Sequence, residues 1–353
     1  MNELIQLKRF SEINLGDSFF NSLKEDYKGF VNWFKNKADE NAFILESEDG
    51  IEAFLYLKVE KGPVTDVTPY LDDHTRVKIG TMKINPHGTR LGERFIKKAF
   101  DFAVSKGLNE LYVTVFPKHD SLINIYKQYG FIEHGKKITS DGEELVLVKS
   151  FSALKGNVIL DYPVVINRNV NKYLLAIYPE FHTRLFPDSI LRTERFDVIE
   201  DVSHTNSIHK AYISYMEDVS KLNAGDVLVI YRTKERDDPG PAEYRSVATS
   251  VCVVEEIKSK KDFKNRDDFV KYCMAYSVFS NNELIKWYMA RKPYLYVIRM
   301  TYNIAMTKRL TRGQLIKDCG IERNAYWGFI QLADRNFNRI IEMGGINESL
   351  IVN

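Results

Sequence analysis

The sequence is poor in cysteine and has no long apolar run. Its three cysteines, Cys252, Cys273 and Cys319, are scattered and odd in number, which excludes a disulfide framework and indicates free thiols in a reducing compartment. The seven histidines show no metal-ligand spacing. No apolar run approaches the roughly 20 residues that a membrane helix needs, and residues 1–6 lack the basic segment and apolar core of a secretory signal. These features predict a cytoplasmic protein that binds no metal and has no membrane partner.

Charge is close to balance along the chain. Residues 1–150 carry 21 Lys and Arg against 23 Asp and Glu, whereas residues 151–353 carry 29 against 25. Neither part is basic enough to predict nucleic-acid binding from charge alone. The length of 353 residues predicts two domains, and the hydrophobic content of 44% is ordinary for a globular protein.

A glycine-bearing segment joins a predicted strand to a predicted helix. The strand pattern covers residues 76–84, the segment His-Gly-Thr-Arg-Leu-Gly covers residues 87–92, and the helix pattern covers residues 93–104. Small residues let the backbone approach a phosphate, and the free N–H groups of a first helical turn favour its negative charge. The segment therefore predicts a phosphorylated cofactor near Arg90. The alternative is that glycine serves a purely steric purpose at this corner.

The following residues extend this pattern. A second strand is predicted over residues 111–116, then a short helix over residues 122–128 that ends at Gly130. This order resembles the GNAT superfamily of acetyl-CoA-dependent acyltransferases, over about residues 1–150. Their loop motif Arg/Gln-x-x-Gly-x-Gly/Ala maps onto residues 87–92, and their Leu-Tyr-x-x-x-Gly-Phe motif maps onto residues 125–131. The first motif departs from the family pattern at His87 and Arg90, and the second matches well.

The resemblance implies acetyl-CoA as cofactor and a set of residues that hold it. In such enzymes a backbone N–H of the central strand polarises the thioester carbonyl, a task that maps to residues 82–84. The implied cofactor-binding residues are Met82, Lys83, Ile84, Gly88, Thr89, Arg90, Leu91, Gly92 and Glu93. The tyrosine that protonates the leaving thiolate maps to Tyr126. The alternative for Tyr126 is an aromatic side chain that packs on the sheet.

A general base is not evident in the sequence. The predicted central strand has no Asp or Glu between residues 76 and 84. Asp72, Asp73 and His74 lie just upstream, and His119 follows the second strand. Each is a candidate base, with a turn or surface role as the alternative. A base is unnecessary if the acceptor amine arrives neutral.

The N-terminal part is predicted to be an α/β (α+β) domain, residues 1–152, with a mixed sheet flanked by helices. Ser22 and Glu25 have capping-box spacing and predict one helix that includes Tyr27 and Phe34. Residues 153–170 contain Gly, Pro and several Asn, and are predicted to be a linker.

Residues 171–353 show a different pattern, with strands predicted over residues 172–178, 226–232 and 244–257. The segments 174–181, 225–232 and 246–249 resemble the small β-barrels of PUA-like proteins, including the ASCH group. The ASCH pattern Gly-x-Lys-x-x-Glu is not found after Pro179. The resemblance implies a PUA-like barrel with helices that binds RNA or modified bases. The alternative is a barrel that only packs against the first domain.

One stretch of the second domain interleaves aromatic and basic residues. Its members are Trp287, Tyr288, Arg291, Lys292, Tyr294 and Tyr296. Stacking on bases combined with phosphate contacts uses such a set. The alternative is a helix with one apolar face and a basic outer face, followed by a half-buried strand.

Together these features predict a GNAT-type N-acetyltransferase that moves an acetyl group from acetyl-CoA to an unidentified acceptor. An RNA or a nucleobase-containing substrate held by the PUA-like domain is one acceptor class. Two alternatives stay open: a non-catalytic module that binds acetyl-CoA and RNA, and an enzyme that acts on a protein or small-molecule amine. The sequence leaves the oligomeric state open.

Overall fold

The computed structural model describes residues 5–85, 90–186 and 207–353. The chain divides into two compact units, Met1–Leu154 and Lys155–Asn353. Each unit has its own sheets and its own apolar core.

The first unit contains seven strands and four α-helices among its described residues. The strands are β1 (Gln6–Arg9), β2 (Asn41–Ser47), β3 (Gly50–Glu60), β4 (Arg76–Ile84), β5 (Glu110–Val115), β6 (Ile132–Thr139) and β7 (Gly142–Ser150). The helices are α1 (Asn21–Asp26), α2 (Phe30–Lys35), α3 (Leu91–Ser105) and α4 (Asp120–Gln128).

These strands form one sheet in the order β1-β2-β3-β4-β5-β7-β6. Its pairs are antiparallel, apart from the parallel pair β4–β5 that α3 connects. A parallel pair needs such a crossover because its strands start at the same end of the sheet. Leu23 of α1 and the aromatic side chains of α2 pack with Phe54 and Tyr56 on one face, and α3 contacts β3, β4 and β5. The predicted mixed sheet flanked by helices is confirmed.

The predicted single helix from Ser22 to Phe34 is wrong. The chain forms two short helices, and Tyr27 between them is extended, with φ −126° and ψ 102°. Ser22 is not the N-cap either, because Phe20 occupies that position without a side-chain cap. Asp17 instead caps a preceding 3-10 turn by accepting a 2.8 Å hydrogen bond from the N–H of Phe19. The chain is thus already helical before Ser22.

The second unit contains eight strands and six α-helices among its described residues. The strands are β8 (Val165–Ile166), β9 (Lys172–Ile177), β10 (His209–Ser214), β11 (Val227–Arg232), β12 (Val247–Ser259), β13 (Tyr296–Thr311), β14 (Phe329–Leu332) and β15 (Ile351–Val352). The helices are α5 (Pro179–Leu185), α6 (Ala242–Arg245), α7 (Arg266–Met274), α8 (Asn281–Met289), α9 (Arg312–Lys317) and α10 (Asp334–Met343).

Six of these strands form a mixed sheet in the order β10-β13-β12-β11-β9-β14, and β8 pairs with β15. The long strands β12 and β13 shift register three times along their ladder. Such irregularities bend and twist a sheet, which wraps it around an apolar core. That core includes Leu175, Leu228 and Ile298.

Residues 155–170, within the predicted linker, pack as part of the second unit. The buried Tyr162 donates a 2.9 Å hydrogen bond from its hydroxyl to the carbonyl oxygen of Tyr302. Val165 is also buried and pairs with Ile351 in the two-stranded sheet. Asp161 accepts hydrogen bonds from the N–H groups of Lys155 and Asn157, which fixes the entry to this segment.

Within the described ranges, no helix is long and apolar enough to cross a membrane. The same residues contain no group of three or more His, Cys, Asp or Glu side chains placed to hold a metal ion. Cys252, Cys273 and Cys319 are buried thiols that form no disulfide.

Candidate active site

The strands β4 and β5 diverge partway along their length. Their parallel ladder joins Val77–Ile79 with Leu111–Val113, yet β4 continues to Ile84 and β5 to Val115. Paired strands lie about 4.8 Å apart, so a ladder that stops while both strands continue leaves an opening between them. The backbone of β4 beyond Ile79 therefore faces this opening.

A bulge at Gly80 marks the start of the divergence. On β3, Tyr56 lies opposite Thr81 and Leu57 lies opposite Ile79, so Gly80 is an extra residue on β4. A Cβ atom at Gly80 would lie 2.5 Å from Cδ1 of Tyr56, which a side chain cannot tolerate. Because a bulge bends its strand, Gly80 redirects β4 at the point where pairing with β5 ends.

A cavity of about 1120 Å³ lies at this opening. Side chains alternate between the faces of a strand, and cross-strand partners share a face, so the registers divide the cavity into two chemically different walls. The wall on the side of α3 and α4 is mostly apolar and includes Ile79, Met82, Leu91, Val113, Val115 and Ile125. The wall on the side of α1 and α2 is polar and includes Lys58, Glu60, Lys78, Thr81, Lys137 and Glu144.

The predicted cofactor residues of β4 line the cavity. Met82, Lys83 and Ile84 all belong to its wall. The ammonium group of Lys83 donates a 2.5 Å hydrogen bond to Oγ of Ser22 and another to the carbonyl oxygen of Phe19. Burial lowers the pKa of Lys83. Its side chain is therefore engaged near α1, and its contribution to the opening is its backbone.

The predicted phosphate-binding segment precedes α3. His87, Gly88 and Thr89 lie outside the described residues. Arg90 is the N-cap of α3, with no side-chain cap hydrogen bond to the first turn among the described residues. Its guanidinium forms a 3.1 Å ion pair with Glu93, which neutralises the one acidic side chain of that turn. Among the described residues no side chain caps these N–H groups, and a helix N-terminus favours an anion.

Leu91 and Gly92 are buried at the start of α3. A Cβ atom on Gly92 would lie 2.6 Å from Cδ1 of Ile125 on α4. Gly92 therefore lets the two helices approach closely, which is the steric purpose weighed from the sequence. Any larger residue at this position disturbs helix packing, whether or not a phosphate binds nearby.

Tyr126 is fully buried on α4, and it lines the cavity. Its ring lies 5.0 Å from that of Phe131, and its hydroxyl donates a 3.4 Å hydrogen bond to Sδ of Met82. Burial raises the pKa of Tyr126 far above its usual value, so the hydroxyl keeps its proton at every physiological pH. The ring packs as an aromatic core residue does, and the hydroxyl is a proton-bearing donor at the sulfur of a central-strand residue.

The four candidate bases separate into two groups. His119 lines the cavity, and its Nε2 lies 3.0 Å from Oδ2 of Asp26. Asp26 also accepts a hydrogen bond from Lys118. Asp72, Asp73 and His74 are not part of the cavity wall.

The three upstream candidates, Asp72, Asp73 and His74, instead lie just before the start of β4, where two of them make stabilising contacts. His74 lies 2.8 Å from Oε1 of Glu110, and the carbonyl oxygen of Asp72 accepts a 2.7 Å hydrogen bond from the buried Arg76. Only His119 among the four is positioned to meet a molecule in the cavity.

Glu144 is a cavity residue that the sequence analysis missed. Glu144 is only 4% exposed, and its Oε1 accepts a 2.7 Å hydrogen bond from the hydroxyl of Tyr27. Burial, followed by this hydrogen bond, raises the pKa of Tyr27, which therefore stays a donor. Within the part of the chain described here, no Lys, Arg or His forms an ion pair with Glu144. The sequence signal that could have revealed it is a carboxylate in the alternating series with Val146 and Val148.

In the aromatic and basic stretch of the second unit, two aromatic side chains pack against other rings, whereas the two basic side chains are exposed. The ring of Trp287 packs against that of Tyr215 with the centroids 4.6 Å apart, and Tyr288 packs against Phe269. Arg291 and Lys292 are exposed. RNA binding by this stretch stays a prediction.

No protein-family model matches the chain, and no curated protein matches it significantly. Solved structures do match. The Campylobacter jejuni N-acetyltransferase PseH in complex with acetyl coenzyme A is 18% identical, over 42% of this chain and 99% of its own, with a TM-score of 0.27. ASCH from Zymomonas mobilis is 8% identical, over 49% of this chain and 94% of its own, with a TM-score of 0.34. These are the two kinds of protein that the sequence motifs resemble.

Proposed function

We propose that the first unit transfers an acetyl group from acetyl-CoA to an amine. The observation that carries this proposal is the opening between β4 and β5 with its two unlike walls. One wall offers apolar contacts beside unpaired strand backbone, which suits the extended arm of a thioester cofactor. The opposite wall offers charged and hydroxyl groups, which suit a polar acceptor. The opening brings the two together at the centre of the sheet.

The cofactor fits the residues that are present. The first turn of α3 provides N–H groups and a positive dipole end for a pyrophosphate, with the Arg90 guanidinium beside it. The backbone of residues 82–84 lies along the opening and supports hydrogen bonding to an amide-containing arm. Bound acetyl-CoA supplies an activated thioester carbonyl to this site.

Three side chains then have separate tasks. Glu144 holds the acceptor as its ammonium ion, since a buried carboxylate without a cationic partner gains from a positive ligand. His119, oriented by Asp26, removes the proton that must leave before nitrogen attacks. The hydroxyl of Tyr126 donates toward the departing sulfur, close to Met82.

The cofactor assignment is tested by calorimetry of acetyl-CoA with the full chain and with two charge-reversal variants. Arg90→Glu places a negative charge at the proposed pyrophosphate site and should weaken binding by about tenfold or more. Lys106→Glu is the matched control at the opposite end of α3, 16 positions away, which is about 24 Å along the axis. Its affinity should equal that of the wild type. Equal affinities for all three proteins would remove the α3 terminus from the cofactor site, and no binding at all would overturn the proposal.

Catalysis is tested by thiol release with a broad panel of amines. His119→Gln should lower kcat/KM, because the base is lost while the fold is kept. Acetyl-CoA binding without any thiol release would instead favour the non-catalytic acetyl-CoA-binding module. An RNA-borne amine belongs in the same panel, since RNA is one of the acceptor classes that the second unit suggests.

A further inference from the structure

Three lysines gather at one end of the polar wall of the cavity. Lys58 on β3 and Lys78 on β4 lie directly opposite each other, and Lys137 on β6 lines the same wall. Glu60 is the carboxylate among them, with its Oε1 3.1 Å from Nζ of Lys58 and 3.9 Å from Nζ of Lys78. The ammonium groups of Lys78 and Lys137 are mostly enclosed, with side chains 22% and 18% exposed.

Two of the three lysines at this end of the cavity share one carboxylate. Burial acts to raise the pKa of Glu60, but the hydrogen bond from Tyr112 and the charges of Lys78 and Lys58 outweigh it and hold the pKa below its usual value. Glu60 is therefore a full negative charge that Lys58 and Lys78 share, and it lies nearer to Lys58. The partner of Lys137 is Asp66, 2.6 Å away, whose charge also attracts Lys78 but which is 59% exposed and lies outside the cavity wall. Burial lowers the pKa of Lys78, and an anion in the cavity would relieve that cost.

The cofactor phosphates are not the anion that these lysines serve. Lys78 precedes Ile84 by six residues along β4, which is about 20 Å at the rise of a strand. The helix α3 starts beyond the opposite end of β4 from Lys78. The lysines also line the wall on the side of α1 and α2, whereas α3 adjoins the other wall.

The lysines lie next to the carboxylate that lacks a cation. Lys137 and Glu144 are direct cross-strand partners on β6 and β7, so their Cβ atoms are about 5 Å apart. Lys137 nevertheless pairs with Asp66, and Glu144 pairs with the Tyr27 hydroxyl. The wall thus offers a place for a cation and a place for an anion side by side.

We propose that the acceptor carries an anionic group, phosphate or carboxylate, within a few bonds of its reactive amine. Lys78 and Lys137 hold the anion while Glu144 holds the ammonium group. This inference rests on the proposed function, because it names the acceptor class of the same site. It predicts that amines without an anionic group are poor acceptors because they lack the charge that Lys78 and Lys137 bind, and not because of their size.

The experiment compares matched amines, each with and without the anionic group, with the full chain. Ethanolamine is compared with O-phosphoethanolamine, and butylamine with 4-aminobutyrate, by thiol release from acetyl-CoA. The anionic member of at least one pair should have about tenfold or higher kcat/KM, and the two pairs distinguish phosphate from carboxylate. Calorimetry of the same four amines with the acetyl-CoA-saturated protein gives a second readout that does not need turnover.

Three variants assign the effect to residues. Lys78→Met and Lys137→Met should each bring the ratio of kcat/KM between the anionic and the neutral member of a pair close to one. Lys136→Met is the control, since Lys136 is adjacent in sequence, projects to the opposite face and pairs with Glu143. Circular dichroism checks that each variant folds. If Lys137→Met does not fold, Lys137→Gln takes its place.

Two results would overturn the inference: equal kcat/KM and equal affinity within both pairs, or a preference that survives in both lysine variants. Neutral amines that react normally in that case would leave the acetyltransferase proposal intact. Absence of all turnover, with an anion preference retained in calorimetry, would instead separate the failure of the proposed function from this inference.

Discussion

The hydroxyl of Tyr27 donates a 2.7 Å hydrogen bond to Oε1 of Glu144, across 117 positions of the chain. Tyr27 occupies the extended break between α1 and α2, and Glu144 lies on β7. The contact fixes one oxygen of a buried carboxylate whose charge has no ionic partner in the described part of the chain. It therefore orients Glu144 without neutralising it, which suits a carboxylate that receives a cationic ligand.

Replacing Glu144 by glutamine should raise KM for the acceptor amine by roughly 10- to 100-fold, because a charge-assisted hydrogen bond is lost. The affinity for acetyl-CoA should stay as in the wild type. Steady-state kinetics and calorimetry measure the two quantities. Glu143→Gln is the matched control, since Glu143 is the preceding residue, is half exposed and pairs with Lys136. A KM that does not change in Glu144→Gln would remove this carboxylate from acceptor binding.

Replacing Tyr126 by phenylalanine should lower kcat by about 10²-fold if its hydroxyl donates to the departing sulfur. The affinity for acetyl-CoA should hardly change, because that donation matters mainly in the transition state. Pre-steady-state thiol release with an identified acceptor measures the chemical step. Tyr129→Phe serves as the control, since Tyr129 is equally buried but does not line the cavity. Turnover equal to that of the wild type would leave Tyr126 with a packing role alone.

His182 should make the second unit sensitive to acid. It is fully buried on α5, with Nε2 2.8 Å from Oγ1 of Thr249, and burial together with the charges of Arg232 and Arg309 lowers its pKa to about 3. An unfolded histidine titrates near pH 6.5, so below that value the unfolded chain binds a proton that the folded chain does not. Stability is therefore fully present above about pH 6.5 and should fall by about 1.4 kcal/mol per pH unit as the pH decreases toward 3.

The variant His182→Gln keeps a hydrogen-bonding side chain and cannot titrate. Urea unfolding between pH 7.5 and about 4 gives the free energy of unfolding of both proteins as a function of pH. Its decrease toward acid pH should be less steep in the variant than in the wild type, by the contribution of this one proton. Identical slopes for the two proteins would mean that His182 becomes protonated in the folded state.

RNA binding by the second unit has a distinct salt signature. If Arg291 and Lys292 contact phosphates, the full chain should bind structured RNA with an affinity that falls as salt rises. Replacing both by alanine should reduce the log–log salt slope by about 2, whereas Tyr294→Ala should weaken binding with little change of slope. Fluorescence anisotropy at several salt concentrations measures both effects. No binding even at low salt would leave a protein or a small molecule as the acceptor.

Local patterns in the sequence located the elements that surround the site. The order of β4, α3, β5 and α4 follows from alternation, helical period and glycine stops, which depend on near neighbours. The capping boxes at Ser280 and Thr311 are local in the same way, because each needs partners only three positions away. The strand β6 escaped notice, since it is polar and half exposed at the edge of its sheet, so no apolar alternation reveals it.

The sequence by itself thus determined the class of fold, the strand-loop-helix order around residue 90 and the placement of Tyr126 on a short helix. Tertiary structure alone decided the chemistry of the cavity. Residue 80 must be glycine because Tyr56 of the neighbouring strand closes the space beside the bulge, and Glu144 meets Tyr27 through the pairing of distant segments. Such contacts depend on register and on the ends of helices far apart in the chain, and local propensity carries no information about either.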